Sequence, residues 1–260
     1  MVDSGVLDPA VRRIPLDGPV NFRDIGGYRG AGGRSVRWRQ VFRADGLESM
    51  TQRDVDTVVG HLSVRTVIDL RTPREIDIVG VGPLGETDVV RRNLSIIDET
   101  QQAWQDALNE GDIMAQYLVM LDGSAGKFIE ALTIMADSQG ALVFHCAAGK
   151  DRTGLLAALL LSVLGVSQSD INADYALTAE VLPALTDRWR ARAEDPRFRE
   201  QFERRPNWRA AAARILTADG DTLGQVMLEL GRQSGSPQRW LLDRGLETDV
   251  VDRLRDRLLA

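Results

Sequence analysis

Cysteine is nearly missing from this chain, with Cys146 the one thiol in 260 residues. An intrachain disulfide is therefore excluded, and no second thiol in the chain can resolve an oxidised Cys146. Lysine is almost as scarce: Lys127 and Lys150 stand alone, and the rest of the 32 basic residues are arginine. No run of about twenty apolar residues occurs, which excludes a spanning helix and stable membrane insertion. The start, Met1 to Asp8, has no basic stretch leading into an apolar one, so no secretory signal is read there. The expected location is the cytoplasm, or outside the cell by a route that needs no cleavable signal. An excess of positive charge is also lacking. The net charge of −6 argues against general nucleic-acid binding, although a local basic pocket remains compatible with it. The 43% apolar content is ample for a core, so a disordered chain is excluded and one domain over 1–260 is expected.

What the chain does contain is one dense stretch, His145-Cys146-Ala147-Ala148-Gly149-Lys150-Asp151-Arg152-Thr153-Gly154. It follows the apolar run Ala141–Phe144 and precedes the Leu/Ala-rich run Leu155–Leu161, so it reads as the loop between a buried strand and a buried helix. The first amides of a helix have no intrahelical partner and carry the positive end of its dipole, which suits a phosphate. Ala147, Ala148 and Gly149 have little or no side chain, so consecutive amides can turn toward one centre. A helix N-terminus and nearby cations also favour the thiolate of Cys146. Arg152 returns to the loop's mouth, where its planar fork can hold two phosphoryl oxygens. A buried core cysteine in an ordinary strand–helix turn is the bland alternative, and the fixed spacing of six residues weighs against it.

Around this loop, strands and helices alternate, which points to a layered α/β fold with a mainly parallel central sheet flanked by helices. Residues 1–20 carry three prolines and read as an extended arm, and about 185–260 read as a helical C-terminal elaboration. Val36–Ala44 reads as a strand or hairpin arm, and Thr51-Gln52-Arg53-Asp54 as an N-cap with an acidic third residue. Val64–Arg71 reads as a central strand whose charged end, Asp69 and Arg71, borders the pocket. Asp98 to about Leu121 has helical spacing interrupted by Gly111, and the helix after the loop is expected over Thr153–Leu164. Residues 187–214 hold nine arginines with interleaved aromatics and acids, read as a solvated amphipathic helix pair in preference to a nucleic-acid face. A mobile lid is a third option for them. Arg23 and Arg43 are equally compatible with surface solvation and with a place near the pocket.

The order His-Cys-x5-Arg-Thr-Gly is similar to the signature of the cysteine-dependent phosphatases. The Gly-Lys-Asp-Arg-Thr-Gly core, with Asn21–Gly27, Phe42–Asp45, Ile68–Arg71 and Asp174-Tyr175, resembles the bacterial tyrosine phosphatases that include a secreted mycobacterial member. That resemblance implies the cysteine-phosphatase fold and a two-step phosphomonoester hydrolysis. In it, Cys146 attacks phosphorus to give a phosphocysteine, while the loop amides of Ala147, Ala148, Gly149 and Lys150, with Arg152 and Thr153, hold the phosphate. Thr153 is expected to hydrogen-bond the thiolate. His145, Asp69, Arg23 and Asp24 are expected as supporting residues, and neither metal nor cofactor is called for. The Trp-Pro-Asp acid of many relatives is missing, so Asp151 is preferred as general acid over Asp69 and Asp112. The implied substrates are phosphotyrosine proteins, with phosphoserine/threonine or phosphoinositides as extensions that Lys150 would favour. A catalytically idle phosphate-binding module is the alternative from a different class. The sequence leaves oligomeric state open.

Overall fold

A computed structural model describes residues 11–192 and 220–260 of the chain. Five strands form one sheet: β1 (Arg23–Asp24), β2 (Val41–Ala44), β3 (Val64–Asp69), β4 (Val90–Asn93) and β5 (Ala141–His145), in the order β1-β2-β5-β3-β4. Strands β2, β5, β3 and β4 are mutually parallel, and the short β1 runs antiparallel to β2 on the edge. The loop-bearing strand β5 is thus central, covered on both faces, and reads as an unbroken apolar run. Its side chains alternate. Leu142 and Phe144 enter the large core cluster, while Ala141 and Val143 enter the smaller one on the opposite face.

The smaller cluster is closed by α1 (Gln52–Val55), which opens with a complete capping box between Thr51 and Asp54 and continues as a π-turn over Asp56–His61. The larger is closed by α3 (Gln102–Glu110), α4 (Ile113–Gly123), α5 (Ala125–Asp137), α6 (Asp151–Val163) and α7 (Gln168–Ala176). Helices Gly220–Ser234, Pro237–Asp243 and Thr248–Leu258 complete that layer, and α8 (Leu182–Arg192) follows α7 through a short turn. Helix α6 is buried around nearly its whole circumference, from Arg152 to Leu161. A helix apolar all round belongs inside, and α6 lies between the sheet and its neighbouring helices. No helix of the described residues is long and apolar enough to cross a membrane.

Three elements differ from the sequence expectation. The strand expected from Val36 is confined to Val41–Ala44, because the Asp24 carboxylate accepts from both Gly26 N and Arg39 N at 2.7 Å and bends the chain, with Arg39 at a φ of 59°. The Asp98–Leu121 stretch is two helices: Gly111 ends α3 at a φ of 68°, and the Asp112 side chain then caps α4 by accepting from Ala115 N. Helix α6 begins at Asp151, two residues before the expected Thr153, which places that carboxylate in the first turn. Of the expected arm, residues 11–20 pair with β1 only at an isolated bridge between Arg13 and Arg23, and the first ten lie outside the described residues. Most of the Arg-rich 187–214 stretch, with Phe198, Phe202 and Trp208, also lies outside them, as does the lid expectation attached to it.

Candidate active site

Between β5 and α6 the chain turns through Cys146–Lys150 with its carbonyls tied to the scaffold. His145 Nδ1–H donates to Cys146 O at 3.2 Å, and Gly46 N donates to Ala147 O at 3.1 Å. Asn21 Nδ2 donates to Ala148 O at 3.1 Å and to Gly149 O at 3.2 Å, and Arg43 Nη2 reaches Gly149 O at 2.9 Å. Gly154 N takes Lys150 O at 2.6 Å as α6 begins. Across a trans peptide the carbonyl and the next N–H point in opposite directions. With these carbonyls directed outward, the amides of Ala147, Ala148, Gly149, Lys150 and Asp151 face the other side as a row of donors above the buried Cys146. Gly149 permits this path: its φ is 67°, and a Cβ there would lie 2.5 Å from Ala44 O.

Arg152 is oriented by Glu75 of α2 (Pro73–Val79). Its Nη1 and Nη2 donate to the two carboxylate oxygens at 2.6 and 2.8 Å, and Nη1 also approaches Leu70 O at 3.3 Å. A guanidinium has five N–H donors. Three are thus taken, and those left, on Nε and Nη2, lie side by side and match two oxygens of a phosphoryl group. Burial disfavours the Arg152 charge, but Glu75, then the charge of Cys146, hold the guanidinium protonated. Glu75 is in turn kept below its ordinary range by Arg152, although burial opposes it. Glu75 also closes the capping box of α2, its Oε2 accepting from Thr72 N at 2.7 Å.

Asp151, at the first turn of α6, is about a quarter exposed, and its Oδ1 has two partners. The Lys150 ammonium forms an ion pair with it at 3.3 Å, and the hydroxyl of Tyr117 on α4, which lies 2.6 Å from the hydroxyl of Tyr175 on α7, donates to it. Lys150, expected as a second cation beside Arg152, is 1% exposed, and its ammonium pairs with Asp151. The Thr153 hydroxyl is buried with no hydrogen-bond partner among the described residues, so the expected bond to Cys146 is not formed. The carbonyl one turn back, Gly149 O, is already shared by Asn21 and Arg43.

The supporting residues divide into two groups. On one side Arg23 and Arg43 converge on Asp174 of α7: Arg43 donates to Oδ2, and Arg23 reaches Oδ1 at 3.4 Å and the Asp174 carbonyl at 2.9 Å. Arg23 also donates to Asn21 Oδ1, so the two arginines and Asn21 connect α7 to the back of the loop. Burial works against the Asp174 charge, and Arg43 then Arg23 keep its carboxyl below the ordinary range. Both arginines are fully buried, which removes surface solvation as a reading for either. On the other side Arg71 clasps Asp69 with Nε at 2.9 Å and Nη2 at 2.7 Å, while His145 Nε2 lies 3.6 Å from the same carboxylate. Burial opposes the Asp69 charge, and the His145 ring and Arg71 hold its carboxyl well below the usual range. Burial pushes the His145 imidazole down, so at neutral pH it is an uncharged donor.

The alternative acids are thereby otherwise engaged, Asp69 as the buried partner of Arg71 and Asp112 as the cap of α4. Asp24 braces the Gly26–Arg39 turn and makes no bond to the loop. Sequence reasoning missed Glu75, Tyr117 and the Asp174 partner of the two arginines. The Thr72-x-x-Glu75 pattern was a legible capping signal, but nothing in it points to Arg152, and Tyr117 reads as one more apolar helix position. Among the described residues, no group of three or more His, Cys, Asp or Glu side chains could hold a metal ion.

Comparison with known proteins places the chain in a family. The model of a family described as the tyrosine phosphatase family matches residues 14–260. A relative from Cupriavidus necator, provisionally named a tyrosine-protein phosphatase, is 32% identical over 62% of this chain and 61% of its own length. The chain thus spans less than two thirds of that relative. A tyrosine-protein phosphatase of Nostoc commune is 28% identical over 83% of the chain and 73% of its own length. The triple specificity protein phosphatase PtpB of Mycobacterium tuberculosis is 25% identical over 96% of the chain and 100% of its own length.

Proposed function

Because this chain belongs to the tyrosine phosphatase family, we propose that it dephosphorylates phosphotyrosine in proteins by a two-step transfer through a phosphocysteine at Cys146, with residues 1–260 acting as one phosphatase domain. Cys146 Sγ attacks phosphorus in line, and the phosphorus–oxygen ester bond breaks. The outward-tied loop supplies amides to the equatorial oxygens, and the remaining donors of Arg152 supply two more. Asp151 gives its proton to the departing oxygen, then as a carboxylate takes a proton from the water that releases phosphate and regenerates the thiolate.

The observation that carries this reading is the orientation of five consecutive loop carbonyls toward the scaffold above a buried cysteine. A phosphate reader would need the amides and the arginine, but not a thiol or an adjacent carboxylic acid. The pairing of Lys150 with Asp151 favours phosphotyrosine as the primary substrate over esters carrying further phosphates. Activity on phosphoserine, phosphothreonine or phosphoinositides then depends on how wide the mouth is. Turnover of p-nitrophenyl phosphate without added metal, reduced to background in Cys146→Ser while a phosphotyrosine peptide still binds, is the expected result. Undiminished turnover in Cys146→Ser contradicts the reading. A substrate panel of phosphopeptides and inositol lipids is expected to rank phosphotyrosine first, and an equal or higher rate on the lipids contradicts that order.

A further inference from the structure

We propose that Tyr117, backed by Tyr175, is a positioning residue for the general acid, fixing which oxygen of Asp151 carries the transferable proton. The proposal rests on the assignment of Asp151 as acid. The hydrogen bond from the Tyr117 hydroxyl and the ion pair with Lys150 Nζ both fall on Oδ1 of Asp151. In a neutral carboxyl group one oxygen is an acceptor and the other bears the proton. A donated phenol hydrogen bond and an adjacent ammonium on Oδ1 make it the acceptor, so the proton sits on Oδ2. When Oδ2–H passes to the ester oxygen, the negative charge left on the carboxylate is already met by the same two groups.

The phenol is fitted for this. Tyr117 is 1% exposed, and burial together with the neighbouring Asp151 raises its pKa well above the ordinary phenol value, so it stays a proton donor throughout the neutral range. A carboxylate can only accept, so Tyr117 donates to Asp151 and its oxygen accepts from Tyr175 at 2.6 Å. The loop motif contributes to the same chain of bonds. A Cβ at Gly154 would lie 2.7 Å from Cδ2 and Cε2 of Tyr175, so the glycine two residues after Arg152 makes room for that ring. Helices α4, α6 and α7 thus meet at one proton-carrying side chain.

The test compares kcat on phenyl phosphate, whose leaving group needs a proton, with kcat on 2,4-dinitrophenyl phosphate, whose leaving group does not. Tyr117→Phe keeps the ring and removes the donor. It is expected to lower kcat on phenyl phosphate by about tenfold with little change in KM, and to alter the dinitrophenyl ester by less than about twofold. Introduced into Asp151→Asn, Tyr117→Phe should have almost no further effect on phenyl phosphate, because residues acting as a unit are non-additive. Equal losses on both esters, or an undiminished further loss in the Asp151→Asn background, overturns the proposal, as does full activity of Tyr117→Phe on both. Should Asp151→Asn itself slow both esters alike, the acid assignment fails first and the Tyr117 role falls with it. Tyr175→Phe is expected to reproduce the discrimination more weakly.

Discussion

Gly149 and Arg152 show how tightly single residues constrain this loop. At Gly149 the left-handed backbone and the 2.5 Å approach to Ala44 O leave no place for a Cβ. Gly149→Ala is therefore expected to displace the loop and lower kcat/KM on the order of 10²-fold, the loss typical of an ångström-scale misplacement, with a fold that still melts cooperatively. A rate near wild type would show that the amide row is not what orients the phosphate. At Arg152 the requirement is for shape: Arg152→Lys keeps a cation but not the paired donors beside Glu75. The expected loss is again about 10²–10³-fold in kcat/KM. Glu75→Gln is a milder companion, since an amide can accept from the guanidinium but holds it in one orientation less firmly.

At the scale of elements, α7 is fastened to the loop by one carboxylate shared between two fully buried guanidiniums. Removing one member of a buried charge group leaves the others uncompensated, typically at about 3–5 kcal/mol. Asp174→Asn is accordingly expected to lower the urea midpoint strongly, and an unchanged midpoint would mean that the arginines find other partners. The same element explains what the sequence could and could not disclose. The loop was legible because its chemistry is contiguous: strand, small residues, arginine and helix follow one another within Ala141–Val163. The caps at Thr51, Ser167 and the start of α2 were legible because they are local patterns. The ring of partners was not, since Asn21, Arg43, Glu75, Tyr117 and Asp174 come from separate elements that only the β2-β5-β3 pairing and the packing of α4 and α7 on α6 bring together. Arg23 and Arg43 look like surface residues in a chain rich in arginine, and only the burial of Asp174 between them says otherwise. Val36–Gln40 failed as a strand for a similar reason, because its bend is imposed by Asp24 from another segment.

For the molecule as a whole, buried ionisable groups predict how stability depends on pH. His145 has its pKa lowered by burial from 6.5, so as pH falls below about 6.5 the unfolded chain takes up a proton that the native ring refuses, and stability drops. Asp69, Asp174 and Glu75 are held below their ordinary values. Their contribution is present above about pH 4 and is lost as pH falls through their native values. Asp24 and Asp45, raised chiefly by burial, act in the opposite sense and offset part of that loss. Calorimetry from pH 8 to pH 3 should therefore show Tm declining in two stages, and His145→Asn should remove the upper one. A Tm flat between pH 7 and pH 5 in the unmodified protein contradicts the neutral buried imidazole.

The central claim is that one sulfur carries the phosphoryl group between substrate and water. Rapid acid quench of the enzyme turning over a phosphotyrosine peptide, followed by mass spectrometry of its digest, reads this directly. The predicted result is a phosphoryl adduct on the fragment containing Cys146, absent in Cys146→Ser and, with 2,4-dinitrophenyl phosphate, whose leaving group needs no proton, more abundant when Asp151→Asn slows its hydrolysis. Steady turnover with the phosphoryl group on another residue, or with none on the enzyme at any quench time when Asp151→Asn turns over the dinitrophenyl ester, would contradict it.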